Sequence, residues 1–196
     1  MRLIEAIHIG ISVLTITLAF WFLWSDVRLG SAPNALNPML FVVVFITIGL
    51  GFILHELAHK YVSLHYGVHA EYRAWTFGLF LAIVLAVTVG FIFAAPGAVY
   101  ILGRVNKKQN AMISLAGPAA NLILAALFVG LTPFLGGVSV IGAHVNLWLG
   151  LFNMIPFFPF DGQKVAAWDW KLWALVFVVF IIFFFNLALT PLSNPF

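Results

Sequence analysis

Four apolar runs, residues 7–24, 39–57, 111–131 and 172–189, are each close to the roughly 20 residues that carry a helix across a hydrocarbon core. A chain of 196 residues that is 64% hydrophobic and 8% charged has more apolar surface than a soluble core can enclose, so lipid must be the solvent for much of it. A fifth run, 138–158, is shorter and more interrupted. A sixth, 75–100, is long enough to span but contains Gly78, Gly90, Pro96 and Gly97. The expected fold class is an all-α polytopic membrane protein. It has about five transmembrane helices plus a re-entrant or hairpin segment, six hydrophobic segments in all, and lipid bilayer is its first partner.

The loops between these runs are too short to fold separately, so residues 1–196 read as a single domain. The first run follows Arg2 but carries Glu5 and His8 and lacks a small-residue cleavage site, which predicts a retained helix and not a removable leader. There are no cysteines, which excludes disulfides and thiolate chemistry. Nine basic residues, scattered along the chain, are too few for a nucleic-acid footprint.

Ionisable residues at membrane depth mark function by default. The second run ends in His55-Glu56-Leu57-Ala58-His59. On a helix, residues four apart stack on one face, so His55 and His59 can reach one metal ion with Glu56 beside them as a general base for water. A catalytic zinc takes three protein ligands and leaves a position open. The possible third ligands are His8, His65, His69, His144, Glu5, Asp26, Glu71, Asp161 and Asp169. Asp161 stands out because it closes a segment in which Pro156 and Pro159 break the helix. Freed backbone groups are tolerated in a membrane where protein or a water-filled cavity satisfies them.

These residues carry a resemblance. His55-Glu56-Leu57-Ala58-His59 with Asn153, Pro156, Pro159, Asp161 and Gly162 resembles the paired signature of the site-2 proteases. Ala116-Gly117-Pro118-Ala119-Ala120-Asn121 is similar to the Gly-Pro-x-x-Asn turn that opens another core helix of that family. The matches fall in family order between residues 55 and 162. The resemblance implies three core helices carrying a site in which His55, His59 and Asp161 bind one zinc ion per chain and Glu56 activates water. Asn121 and Asn153 would line it, binding the substrate carbonyl or the oxyanion. It implies a zinc metalloendopeptidase that hydrolyses peptide bonds of single-pass transmembrane protein substrates, the reaction of regulated intramembrane proteolysis. Phe160 stands where the family usually has leucine, and Gln163 where a second glycine often follows, departures that bear on substrate fit. The PDZ and nucleotide-sensing domains of some relatives are not expected within residues 1–196. The alternatives are a catalytically inactive relative, a transporter-like helix-binding protein, or a metalloprotease with a distant glutamate ligand, for which only Glu5 and Glu71 are spare.

The ambiguous run 75–100 is constrained by the metal. A full crossing there would deliver Asp161 to the surface opposite the histidines, roughly 30 Å away, whereas zinc–oxygen bonds are about 2 Å. A run that enters the membrane and returns lets them converge, with a hairpin or short strand between Trp75 and Leu102 whose edge could pair with unwound substrate. Charge points the same way. With the re-entrant path Arg2, Lys60, Arg73, Arg104, Lys107, Lys108, Lys164 and Lys171 share one side, and Arg28 alone lies on the other. The positive-inside rule then predicts a multi-pass protein of the cell membrane with its active site toward the cytoplasm.

Overall fold

The computed structural model describes residues 2–29, 36–92 and 96–188. Helix α1 (Leu3–Trp24) is the first apolar run. Helix α2 (Pro38–His65) opens with Asn37, whose side chain accepts from the Met39 N–H at 2.9 Å, and with proline in its first turn, where a missing N–H costs nothing. Its middle contains a π-helical turn, Phe45–Gly49. Strand β1 (His69–Ala74), helix α3 (Thr76–Thr88) and strand β2 (Gly97–Leu102) follow. Then come α4 (Lys107–Gly130), a short helical turn Thr132–Leu135, α5 (Gly137–Asn153), α6 (Asp161–Trp168) and α7 (Trp170–Ala188). This is an all-α polytopic membrane protein with one two-stranded sheet.

Among the described residues four helices are long and apolar enough to cross a membrane: α1, α2, α4 and α7. The expected fifth, 138–158, becomes α5, which is 17 residues long and stops at Asn153, ahead of Pro156 and Pro159. Residue 189, the expected end of the last run, lies outside the described residues. Large apolar side chains are exposed on α7, at Leu175, Val178, Ile182 and Phe185, as a helix surrounded by lipid requires.

The chain forms two compact units, Met1–Ile53 with Glu71–Tyr100, and Leu54–Ala70 with Ile101–Phe196. In the first, α1 packs against α3 and the start of α2. Gly49 lets α2 approach closely, since a Cβ there would sit 3.2 Å from Val13. The buried polar side of α1 serves the ribbon. Glu5 accepts the Tyr72 N–H at 3.1 Å, His8 Nδ1 accepts the Ala74 N–H at 3.3 Å, and the Tyr72 hydroxyl donates to Ser12 at 2.9 Å.

The path of the sixth run is settled here by one hydrogen bond: Trp75 N–H donates to the Pro96 carbonyl at 2.9 Å. The chain leaves the end of β1, runs through α3, turns at Gly90 with φ +73°, and returns to where it left. Residues 93–95 of this run lie outside the described residues. The strands are antiparallel, because Gly97 lies against Arg73 while Gly103 lies against Val68. The run is a hairpin whose two ends meet, as the metal argument required.

In the second unit α4 packs on α5 and α6, and α7 packs on α5 and α6. Its apolar centre is Ala125, Leu147, Met154 and Phe180. Glycines bring the helices together: a side chain at Gly142 would meet the Phe128 ring, and one at Gly150 the Phe180 ring. Small residues at such crossings let backbones approach where lipid offers no hydrophobic drive.

Candidate metal centre

Both histidines sit on one face of α2, their ring centroids 4.7 Å apart. Asp161 meets them from the first turn of α6, its Oδ2 lying 3.4 Å from His55 Nε2 and 3.1 Å from His59 Nε2. The three ligand atoms lie within 4.8 Å of one another, and all three residues are buried. Among the described residues this is the one group of its kind.

The segment between α5 and α6 explains how Asp161 arrives. Pro156 and Pro159 deny it helical hydrogen bonds, and Phe160 is extended, so a new helix starts at Asp161. A side chain at Gly162 would collide with the Met154 and Ile155 carbonyls, so glycine lets the start of α6 fold back on the end of α5. Burial opposes the charge of Asp161. His59 and His55 beside it, with Lys164 Nζ at 3.3 Å, nonetheless hold its carboxyl well below the usual carboxylate range.

Helix α4 supplies the wall opposite the imidazoles through Ile113, Gly117 and Asn121, a stripe spaced by four. His59 Nδ1 lies 2.7 Å from the Ile113 carbonyl. That oxygen can only accept, so Nδ1 carries the ring proton and Nε2 keeps its lone pair for a metal. His55 Nδ1 lies 2.6 Å from Asn121 Oδ1. A Cβ at Gly117 would sit 2.5 Å from His55 Nε2 and 2.5 Å from His59 Nε2. The residue facing both metal-directed nitrogens is therefore one that puts nothing between them. Glu56 is buried on the same helix turn, and its Oε2 has no hydrogen-bond partner among the described residues. A buried oxygen left alone in this way is costly unless something absent from the protein answers it. Two imidazole nitrogens, a carboxylate, a cleared space and a buried glutamate oxygen with no partner among the described residues fit one metal ion with an open position.

The structure thus brings His55, Glu56, His59, Asp161 and Asn121 together. Asn153, in the last turn of α5, is half-buried and its Nδ2 donates to the Leu149 carbonyl at 2.9 Å. Several of the other ligand candidates are engaged elsewhere. Glu71 pairs with Arg2 and Arg73, Asp26 with Arg28, and Asp169 accepts the Lys171 and Leu172 N–H groups at the start of α7. His144 Nδ1 bonds the Val140 carbonyl one turn back. Sequence reasoning missed Asn146, fully buried on α5, to whose Oδ1 Asn121 Nδ2 donates at 3.0 Å. Its one signal was an amide alone in the middle of an apolar run.

Fold and site together define a polytopic membrane protein with a buried His-His-Asp group that could hold one metal ion. The chain is 40% identical over 179 residues to a Methanocaldococcus jannaschii protein provisionally named zinc metalloprotease MJ0611, with 88% of each chain covered. It is 30% identical to the provisionally named zinc metalloprotease Rip2 of Mycolicibacterium smegmatis, over 67% of this chain and 60% of that one. To the provisionally named zinc metalloprotease YwhC of Bacillus subtilis it is 29% identical, over 68% and 69%. No family model matches the chain, and no solved structure matches it. The chain belongs to the site-2 protease family.

Proposed function

We propose that this chain is an intramembrane zinc metalloprotease that hydrolyses peptide bonds of single-pass transmembrane proteins, inside or at the edge of the bilayer. One observation carries the reading: His55 Nε2, His59 Nε2 and Asp161 Oδ2 converge beside the unpartnered Glu56 oxygen at the end of a membrane-length helix. The names of the relatives support it.

In this mechanism His55, His59 and Asp161 would hold zinc, which when bound would supply Lewis acidity toward a carbonyl oxygen and toward water. Glu56 accepts the proton of the attacking water and returns it to the leaving amine. Asn121 orients His55 from behind. Asn153, whose Nδ2 carries a second hydrogen beyond the one given to Leu149, donates to the substrate carbonyl oxygen as charge builds on it.

A transmembrane helix hides its carbonyls in its own hydrogen bonds, so the substrate must unwind before attack. The ribbon offers an unwound segment a partner. Glu5 and His8 answer the N–H groups of Tyr72 and Ala74 along one edge of β1, which leaves β2 as the edge for strand addition. The bias of eight basic residues against one supports an orientation with the site toward the cytoplasm of the cell membrane.

Elemental analysis of the detergent-purified protein, together with cleavage of a membrane-helix substrate, tests the reading. The expected result is about one zinc per chain in the wild type, loss of zinc in Asp161→Ala, and retained zinc with no cleavage in Glu56→Gln. Unchanged zinc in Asp161→Ala overturns the ligand assignment.

A further inference from the structure

A histidine offers Nε2 to a metal only when Nδ1 carries the ring proton, and Nδ1 stays protonated only if its partner accepts. For His59 the partner is a backbone carbonyl and the matter ends there. For His55 the partner is the amide of Asn121, whose oxygen and nitrogen ends are nearly alike in shape. The end of Asn121 that faces His55 therefore decides which atom of His55 faces the metal. The next residue out, Asn146, is also an amide, with its Oδ1 3.0 Å from Asn121 Nδ2. Its Nδ2, however, lies 2.8 Å from the carbonyl of Gly142 one turn back on α5. That carbonyl can only accept.

Polarity then propagates inward without ambiguity. The Gly142 carbonyl requires the nitrogen end of Asn146, so the oxygen end faces Asn121. Asn121 must answer with its nitrogen, so its oxygen faces His55, and His55 must donate from Nδ1. Asn121 and Asn146 are fully buried and His55 is nearly so. Turning either amide around would set two donors or two acceptors face to face in an apolar interior, where a polar group left unanswered is costly.

We propose that Asn146 is a positioning residue for the metal centre: with Asn121 it transmits the polarity of the Gly142 carbonyl to His55 and fixes Nε2 as the metal-binding atom. The backbone of α5 is placed for this by the glycines on either side. Gly142, Asn146 and Gly150 are spaced by four, and the two glycines sit where α5 meets the rings of Phe128 and Phe180. The proposal rests on the metal-binding role given to His55, His59 and Asp161.

Its test uses the full chain in detergent and needs no substrate. In the metal-free wild type labelled with [15N]histidine, NMR at a pH where the imidazole is neutral should show His55 protonated at Nδ1. A ring protonated at Nε2 overturns the proposal without recourse to any variant. In the zinc-loaded protein, transfer of zinc to a chelator should be about 10-fold faster in Asn146→Leu than in the wild type, the low end of what outer partners of metal ligands contribute. Asn121→Leu supplies the discriminating background. Position 121 then neither accepts nor donates, Asn146 has no route to His55, and adding Asn146→Leu should change zinc transfer no further. Additive effects of the two substitutions indicate plain packing and overturn the proposal. Wild-type zinc retention in Asn146→Leu, with loss of zinc in His59→Ala, overturns the relay and leaves the metal centre standing. Retention of zinc in His59→Ala overturns both.

Discussion

Each compact unit buries a glutamate and places histidine on a largely apolar helix, yet the two use them in opposite ways. In the first, Glu5, His8 and Ser12 on α1 face the ribbon, and Glu5 and His8 each accept a backbone N–H. In the second, His55, His59 and Asp161 turn their nitrogen and oxygen atoms toward one another, Gly117 clears the space between, and Glu56 keeps an oxygen with no hydrogen-bond partner among the described residues. Residue type and burial do not separate the two sets. What separates them is whether the polar atom answers the backbone, as a structural group does, or turns toward other ligand-type side chains that could share one ion. An ionisable residue in an apolar helix is a pointer to function. Its partner decides whether the pointer is right.

The comparison can be broken at several points. The largest effect is expected from Glu56→Gln, which should lower cleavage by about 10²–10⁴-fold, the usual worth of a general base, while zinc content by elemental analysis stays unchanged. Loss of zinc in this variant would make Glu56 a ligand. Gly117→Ala comes next. The added methyl would lie against both Nε2 atoms, so zinc content should fall severalfold or more while helical circular dichroism is retained. Undiminished zinc would show that α4 can withdraw. In the first unit the effect moves from chemistry to stability. Glu5→Leu removes the acceptor of the buried Tyr72 N–H and should destabilise the protein by about 1–3 kcal/mol in a denaturation series, with zinc affinity unchanged. A matching drop in zinc affinity would erase the distinction drawn between the units. The smallest effect belongs to Arg2→Ala. Arg2 is largely exposed where it pairs with Glu71, and such pairs are worth about 0–1 kcal/mol. A larger loss in the same denaturation series would mean that the pair anchors the ribbon.

Much of the second unit could be read from the sequence because its chemistry is local. His55, Glu56 and His59 need only helical spacing to share a face, and Asp161 announced itself by the two prolines that break the chain before it. The hairpin path of 75–100 was legible for a different reason: zinc–ligand bonds of about 2 Å leave no room for an extra crossing, and the bond from Trp75 to Pro96 shows the return. What stayed hidden depends on which helices cross and at what height. Gly117 looked like part of a turn motif until α4 was seen to cross α2 at that residue. Asn146 resembled any lone amide in an apolar run until the Gly142 carbonyl gave it a direction. The length of α5 was overestimated because hydropathy continues past Asn153, whereas the backbone hydrogen bonds do not survive Pro156 and Pro159.

The hydrogen bond from Trp75 to Pro96 has a consequence for variation. A segment that begins and ends at one point adds nothing to the parity of membrane crossings. Residues inserted or deleted around Gly90 therefore cannot invert anything downstream of β2, whereas the same change within α1 or α4 could. The run from Thr76 to Gly90 is accordingly the stretch of apolar chain whose length can drift with its surroundings while the orientation of every later helix is inherited unchanged.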